Sequence, residues 1–311
     1  MSAATRAREL RGMSVALVGV IMFAATLPAT RVAVAQFDPW WLALARVELA
    51  ALLAGAALWL TGQRAPSREH WPGLALTALG VVLGFPLFSS LAMQSVPASH
   101  GAVVAGLLPF ATVVAATMRS GERPALSFWA AAVAGSALVV GFALRTGDGS
   151  LHPGDWAMLA AVAAGALGYA EGGKLARVLG GWQTIAWALV ASAPVLLLPT
   201  AWLTLSQPLV TATASAWAGF LYVAIFSQLI GFLFWYGGMA IGGVARVSQV
   251  QLLQLFFTLI FAWLLLGEPV DRATWAVAVL VVALIWIGRR APVRPTARPS
   301  VVPSPRPDET R

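Results

Sequence analysis

Long apolar blocks run along this chain, separated by short polar phrases. The blocks fall at roughly 12–34, 39–62, 72–93, 98–119, 125–144, 155–177, 182–204, 214–238, 244–266 and 272–289. They are continuous rather than weakly alternating, so they predict helices and not barrel strands. Each is close to the roughly 20 residues that cross the hydrocarbon of a bilayer. The breaks carry turn chemistry, as in "FDPW" at 37–40, "RAPSRE" at 64–69, "GDGSLHPGD" at 147–155 and "GEP" at 267–269. The Pro- and Arg-rich segment 290–311 has too few apolar residues to fold alone and is expected to be disordered.

Composition places these helices in a membrane. The chain is 59% hydrophobic and 10% charged, where a soluble domain carries about 25% charged residues. Cysteine is absent, which excludes disulfides and thiolate metal sites. The net charge of +8 gathers at the ends, with Arg6, Arg8 and Arg11 in one and Arg289, Arg290, Arg294, Arg298, Arg306 and Arg311 in the other. Basic ends that flank apolar spans are topology signals. No aromatic-interleaved basic patch points to nucleic acid. The first block lacks a clear cleavage site and is long enough to span, so no cleaved signal peptide is expected. Ten spans put residues 1–11 and the tail on one side, the cytoplasm. Arg64, Arg68, Arg119, Arg123, Lys174 and Arg177 then fall inside, and only Arg145 and Arg272 fall in outside links.

A phrase is written twice. "SGERPALSFW" at 120–129 and "LGEPVDRATW" at 266–275 share Gly-Glu and a Trp seven residues past the Glu. Shifted by 146, residues 85–133 overlay 231–279: Phe88 meets Phe234, Met93 meets Met239, Phe110 meets Phe256, and Thr112 meets Thr258. Apolar composition alone does not readily produce Gly-Glu and Trp in one ungapped register. The chain is read as two five-helix units, 12–144 and 155–289. Five is odd, so the copies are expected to lie inverted in the membrane, which is the architecture of alternating access.

Ten helices in two such repeats, each with "GE" before its last helix, resemble the drug/metabolite transporter superfamily, most nearly its EamA-type branch. The likeness covers 12–289. Arg46 in "ALARVELAALL" and Pro109 in "GLLPFATVVAATMRSGE" match an Arg and a Pro usual in that family, while Leu255 stands where the second repeat would repeat the Pro. Size and aromatic content look most like bacterial amino-acid exporters, including aromatic ones, of the inner membrane. The resemblance implies an all-α membrane protein in which helices one, three, four, six, eight and nine surround a central cavity.

The candidate chemistry lies in ionisable and polar residues within the spans, since such groups are costly there. Arg46 and Glu48 point about 200° apart on one helix, and Arg46 is expected to snorkel or to bind a neighbouring helix. Glu171 and Lys174 share a helix face. Glu48 and Glu171 are the ion-coupling candidates, although transport is expected to need no proton gradient. Gly121 with Glu122, and Gly267 with Glu268, are read as structural hinges, each Gly ending a helix and each Glu favoured by the dipole of the next. Substrate-binding candidates are Phe85, Phe88, Gln228, Trp235, Tyr236, Ser248, Gln251 and Gln254, because neutral amides bind a zwitterionic head without burying net charge. The competing reading of the amides is interhelical glue. Trp40 and Trp41 are read as an outer-interface belt. His70, His100 and His152 show no metal-ligand spacing, and no Walker loop appears. Neither catalysis, a metal nor a cofactor is expected.

These readings converge on an exporter of small zwitterionic or apolar metabolites, amino acids above all, with membrane lipid as its surroundings and a monomer as the expected state. Efflux of multiple drugs or quaternary cations is the second reading, and it needs Glu48 or Glu171 to face an aromatic cavity. A non-transporting scaffold or lipid-handling protein is the third.

Overall fold

Ten helical stretches carry the fold in the computed structural model, which describes residues 3–120, 123–124, 126–146, 150–206, 211–242, 247–289 and 293–294. They are α1 (Ala3–Ala24, continued by Thr26–Val34), α2 (Pro39–Leu60), α3 (Arg68–Ser95), α4 (Ala98–Ala105 and Leu108–Ser120) and α5 (Leu126–Thr146). The second half follows with α6 (Pro153–Leu179), α7 (Gly181–Leu205), α8 (Ala214–Gly242), α9 (Ser248–Leu252 and Leu253–Leu266) and α10 (Arg272–Arg289). Helix α1 begins at Ala3, so the expected boundary at residue 12 lies inside a continuous helix. Beyond the helices, Arg123–Pro124 pairs antiparallel with Val293–Arg294, which holds that point of the tail. The rest of the expected disordered tail lies outside the described residues.

Local chemistry sets the ends. Asp38 caps α2 by accepting the N–H groups of Trp40 and Trp41, with Pro39 at the first position, where a missing N–H costs nothing. His152 and Asp155 form a capping box on α6, again followed by Pro. Gly267 closes α9 at φ +65°, donating to the carbonyls of Ala262 and Trp263.

Seven stretches, α1 to α5 with α7 and α8, are long and apolar enough to cross a membrane. Helix α6 carries Asp155, Glu171, Lys174 and Arg177. In α9 and α10 the apolar runs are shorter, at Leu252–Leu266 and Arg272–Ile287. The outer walls are apolar: Trp59, Leu60, Leu198 and Trp202 are each at least 75% exposed. Trp40 sits among such residues, but Trp41 does not. It is buried against Phe37, Trp217 and Phe220, and its indole N–H donates to Thr204 Oγ1 over 2.9 Å. The belt expected at Trp41 is therefore an aromatic cluster at the end of the bundle.

The two halves are related by the way their helices pair. Helix α1 packs on α8 and α6 on α3, so the first helix of each half meets the third of the other. Helices α2, α4 and α5 pack on their own counterparts α7, α9 and α10. The counterparts run antiparallel. Along α2, Trp41 meets Thr204 and Gly55 meets Val190. Along α4, Ala98 meets Glu268 and Gly106 meets Leu255. Equivalent helices pointing in opposite directions make the halves inverted copies in this structure. The crossings are made by glycine. A Cβ on Gly12 would lie 2.6 Å from Gly242 Cα, and one on Gly80 would lie 2.5 Å from the Gly168 nitrogen. Only bare backbones approach so closely.

Irregularities repeat as well. Residues 78–84 of α3 and 222–230 of α8 are π-helical, and the 146-residue offset carries 78–84 onto 224–230. Helix α4 breaks at Gly106–Leu107, just before Pro109, whose missing N–H and bulk disfavour a continuous ladder. Helix α9 changes from 3₁₀ to α between Leu252 and Leu253, the positions matching that break, although Leu255 replaces the Pro.

Candidate substrate-binding cavity

The inverted halves enclose a two-lobed cavity on the line between them. One lobe, of about 30 Å³, is walled by Leu27 of α1, Pro109 of α4, Gln251, Leu255 and Thr258 of α9 and Ile285 of α10. The other, of about 20 Å³, is walled by Arg46 of α2, Val81 of α3, Tyr169 of α6, and Ser227, Gln228 and Phe232 of α8. Phe23, Thr26, Phe85 and Gln254 belong to both. Such lobes hold water-sized guests only, so the structure is a closed form of the bundle.

Arg46 is the cation of the site, and of its two expected placements it takes the second, bound to a neighbouring helix. It does not snorkel, because the face of α2 that carries it turns inward; Arg46 is only 1% exposed. One terminal nitrogen, Nη2, donates to the Val223 carbonyl over 2.8 Å and to Ser227 Oγ over 3.1 Å. Its Nε and Nη1 have no hydrogen-bond partner. Ser227 in turn bonds Thr26 Oγ1 over 2.8 Å.

The three amides divide. Gln228 donates from Nε2 to the carbonyls of Val81 and Val82, 3.2 and 3.3 Å away, within the π-helical part of α3. A π segment spliced into an α-helix interrupts the i→i−4 ladder there. Gln228 and Arg46 each bind backbone of the opposite half's π segment, and so tie the irregular turns together. Gln251 and Gln254 are different: Gln251 Nε2 and Gln254 Oε1 are buried without partners. Gln251, Gln254 and Thr258 of α9 line the cavity. Ser248 opens the 3₁₀ turn of α9, and its side chain lies outside the described residues.

Among the aromatic candidates, Phe85 lines both lobes. Phe88 is half-buried against the core and outside the cavity wall. Trp235 and Tyr236 are fully buried in packing: Trp235 against Phe23 and Tyr169, Tyr236 against Phe232 with its hydroxyl toward the Gly168 carbonyl at 3.4 Å. They brace the wall from behind.

Neither expected coupling carboxylate enters the cavity. Glu48 lines a groove of about 640 Å³ on the outer wall, between Gly55 and Trp59 of α2 and Val190 and Pro194 of α7. Glu171 is buried near the end of α6 and pairs with Lys174 at 3.7 Å, with Gly73 of α3 against it.

Glu268 corrects the hinge reading in its partner. Its carboxylate accepts the N–H groups of Ala98 and Ser99, both over 2.8 Å, and the Ser99 hydroxyl over 2.7 Å, with Arg31 Nε 3.6 Å away. It therefore caps the start of α4 in the other half, where a helix dipole favours an anion, and not the start of its own next helix. Gly121 and Glu122 lie outside the described residues. His100 was not legible as a paired residue. It bonds Asp155 Oδ1 over 2.5 Å and Thr146 Oγ1 over 2.9 Å, which joins α4, α5 and α6. Fifty-five positions separate His100 from Asp155, and no local spacing signals such a pair. Among the described residues no group of His, Asp and Glu could hold a metal.

The comparisons agree with this geometry. The model of the EamA-like transporter family matches the chain twice, over residues 10–144 and 152–287. The chain belongs to the EamA-like transporter family. It is 46% identical over 279 residues to an uncharacterized transporter, YdeK, of Bacillus subtilis, covering 88% of this chain and 95% of that protein. It is 27% identical over 281 residues to a probable terminal-alkyne amino-acid exporter of Streptantibioticus cattleyicolor, covering 87% and 91%. A protein of known crystal structure, 21% identical, shares the fold with a TM-score of 0.62 over 89% of this chain and 95% of its own. The chain is a membrane transporter of this family.

Proposed function

We propose that this EamA-family transporter exports small zwitterionic or apolar metabolites, amino acids with aromatic or other apolar side chains above all, by alternating access across a bacterial inner membrane. On this reading all ten helices cross and both termini are cytoplasmic, as the basic ends favour. The observation that carries it is the cavity between inverted halves, where partnerless polar atoms of Arg46, Gln251 and Gln254 stand among the rings of Phe23, Phe85 and Phe232. Few polar groups in an apolar lining fix a ligand's head while its body packs. The cavity admits a substrate only when the halves part, and inverted halves can part at either end. A distant relative named as a probable amino-acid exporter supports the substrate class. Quaternary-cation efflux needs a carboxylate among those rings, and Glu48 and Glu171 are both elsewhere.

One experiment tests the reading. The protein has no cysteine, so Pro269→Cys gives a single label in the link before α10. In proteoliposomes, labelling from outside reports orientation, and labelled phenylalanine, leucine and glutamate report flux. Phenylalanine and leucine should cross faster than in empty vesicles. Flux of tetraphenylphosphonium in place of the amino acids, or labelling of Pro269→Cys only from the cytoplasmic side in cells, would overturn it.

A further inference from the structure

The geometry points to Arg46 as a carboxylate anchor, and to a substrate whose carboxylate is required while its amino group is not. The inference rests on the cavity being the substrate site, and it goes further by ranking ligands by charge. Arg46 is fully buried, and two of its three nitrogens have no partner. Among the described residues that line the two lobes it is the sole charged one, and no carboxylate accompanies it there. Nearby Glu48 is turned to the outer groove by the pitch of α2. A buried cation without a counter-charge is costly, and an anion that reaches it removes that cost. One water can bond the free N–H groups but does not neutralise the charge. Guanidinium matches carboxylate geometry closely, so the anion of choice is a carboxylate.

The rest of the lining fixes the other end of the ligand. Gln254 Oε1 accepts without a donor of its own, and Gln251 Nε2 donates without an acceptor. Gln254 Oε1 can accept from an ammonium or an amide N–H, and Gln251 Nε2 can donate only to an acceptor such as an acyl carbonyl, so neither requires an ammonium. A zwitterion leaves the site with the net charge of Arg46; a monoanion leaves it neutral. Apolar monocarboxylates, including N-acylated amino acids, therefore belong among the ligands, and bind at least as tightly as the parent zwitterions. Amines and amides without a carboxylate do not.

The test uses the intact transporter in nanodiscs with five probes: phenylalanine, N-acetylphenylalanine, 3-phenylpropanoate, phenylalanine amide and phenethylamine. Binding is read by calorimetry and by the ligand-induced rise in unfolding temperature. The two monoanions should match or exceed phenylalanine, and the two cations should bind roughly ten- to hundredfold more weakly, the range for losing a charge-assisted hydrogen bond. Arg46→Gln should level the series, and Arg46→Lys should restore part of it. Equal binding of cations and carboxylates by the wild type overturns the anchor, and so does binding of no carboxylate; neither outcome needs a folded variant. Flux separates the two levels. Phenylalanine that crosses with its carboxylate dispensable defeats the anchor and leaves amino-acid export standing. Carboxylates that bind through Arg46, with no amino-acid flux, do the reverse.

Discussion

Arg46 and Glu48 sit two residues apart on α2 and open onto different places. Arg46 reaches an enclosed lobe of about 20 Å³ walled by six helices, counting those that share its residues with the second lobe. Glu48 reaches an open groove of about 640 Å³ shared with α7. Volume alone chooses the groove. The groove, however, is lined by Ala, Gly, Leu, Val, Pro and Trp around one carboxylate and offers a lipid tail as much as any solute. The cavity carries partnerless donors and acceptors fixed by both halves. A transport site is marked by polar atoms that packing has left waiting between two movable bodies, and not by the space found in one conformation.

Filling each space in turn tests that contrast most severely. Ala105 lines the central cavity. Ala105→Leu inserts three carbons into a space with room for one water, so flux should be abolished, with a stability loss of roughly 1–3 kcal/mol from overpacking. Gly55 faces the groove, where an added Cβ meets only Val190 Cγ2 at 3.6 Å. Gly55→Leu should leave flux unchanged. Flux surviving Ala105→Leu and failing in Gly55→Leu would move the path to the groove.

The glutamines sharpen the comparison inside the cavity. Gln228→Ala leaves the carbonyls of Val81 and Val82 without its donor, and should cost about 1–3 kcal/mol of stability, read as a lower unfolding temperature. Gln251 Nε2 bonds nothing. Gln251→Ala should keep the unfolding temperature and weaken substrate affinity by up to about tenfold. The reverse pattern would make Gln251 the packing residue and Gln228 the ligand.

Much of this was legible in the sequence, for physical reasons that also mark where reading stops. Apolar blocks have to be helices in a bilayer, so the approximate spans were legible, and their starts at Pro39, Ala98, Ala214 and Arg272 coincide with those of the structure. The Gly-Glu and Trp register marked the duplication that the two family matches repeat. Arg46 was not legible because its helix is apolar all round. Periodicity then names no inner face, and an Arg that snorkels looks the same as one that lines a cavity. Trp235 and Tyr236 also sit on an apolar helix, so periodicity did not show that they pack behind the cavity wall. Glu268 was placed at the right turn, but its partner belongs to the other half, 170 positions away.

The smallest expected effect concerns Glu48, and it decides whether the groove has any part in the cycle. Proton coupling needs a carboxylate that changes charge as the halves move and that reaches substrate or the cavity through bonded groups. Glu48 lies on the outer face of α2, and its Oε1 has no partner through which to signal. Glu171 is paired with Lys174 near the end of α6, away from the cavity. Glu48→Gln keeps the shape and removes the charge, so downhill flux should stay within about twofold of wild type, less than the effect of losing one ordinary hydrogen bond. Wild type should show no accumulation against a gradient when a pH difference is imposed across the vesicle. The decisive result is a wild type that does accumulate substrate under a pH difference while Glu48→Gln only equilibrates it. That outcome would make the groove a proton path, and the two faces of α2 would then be two ends of one mechanism.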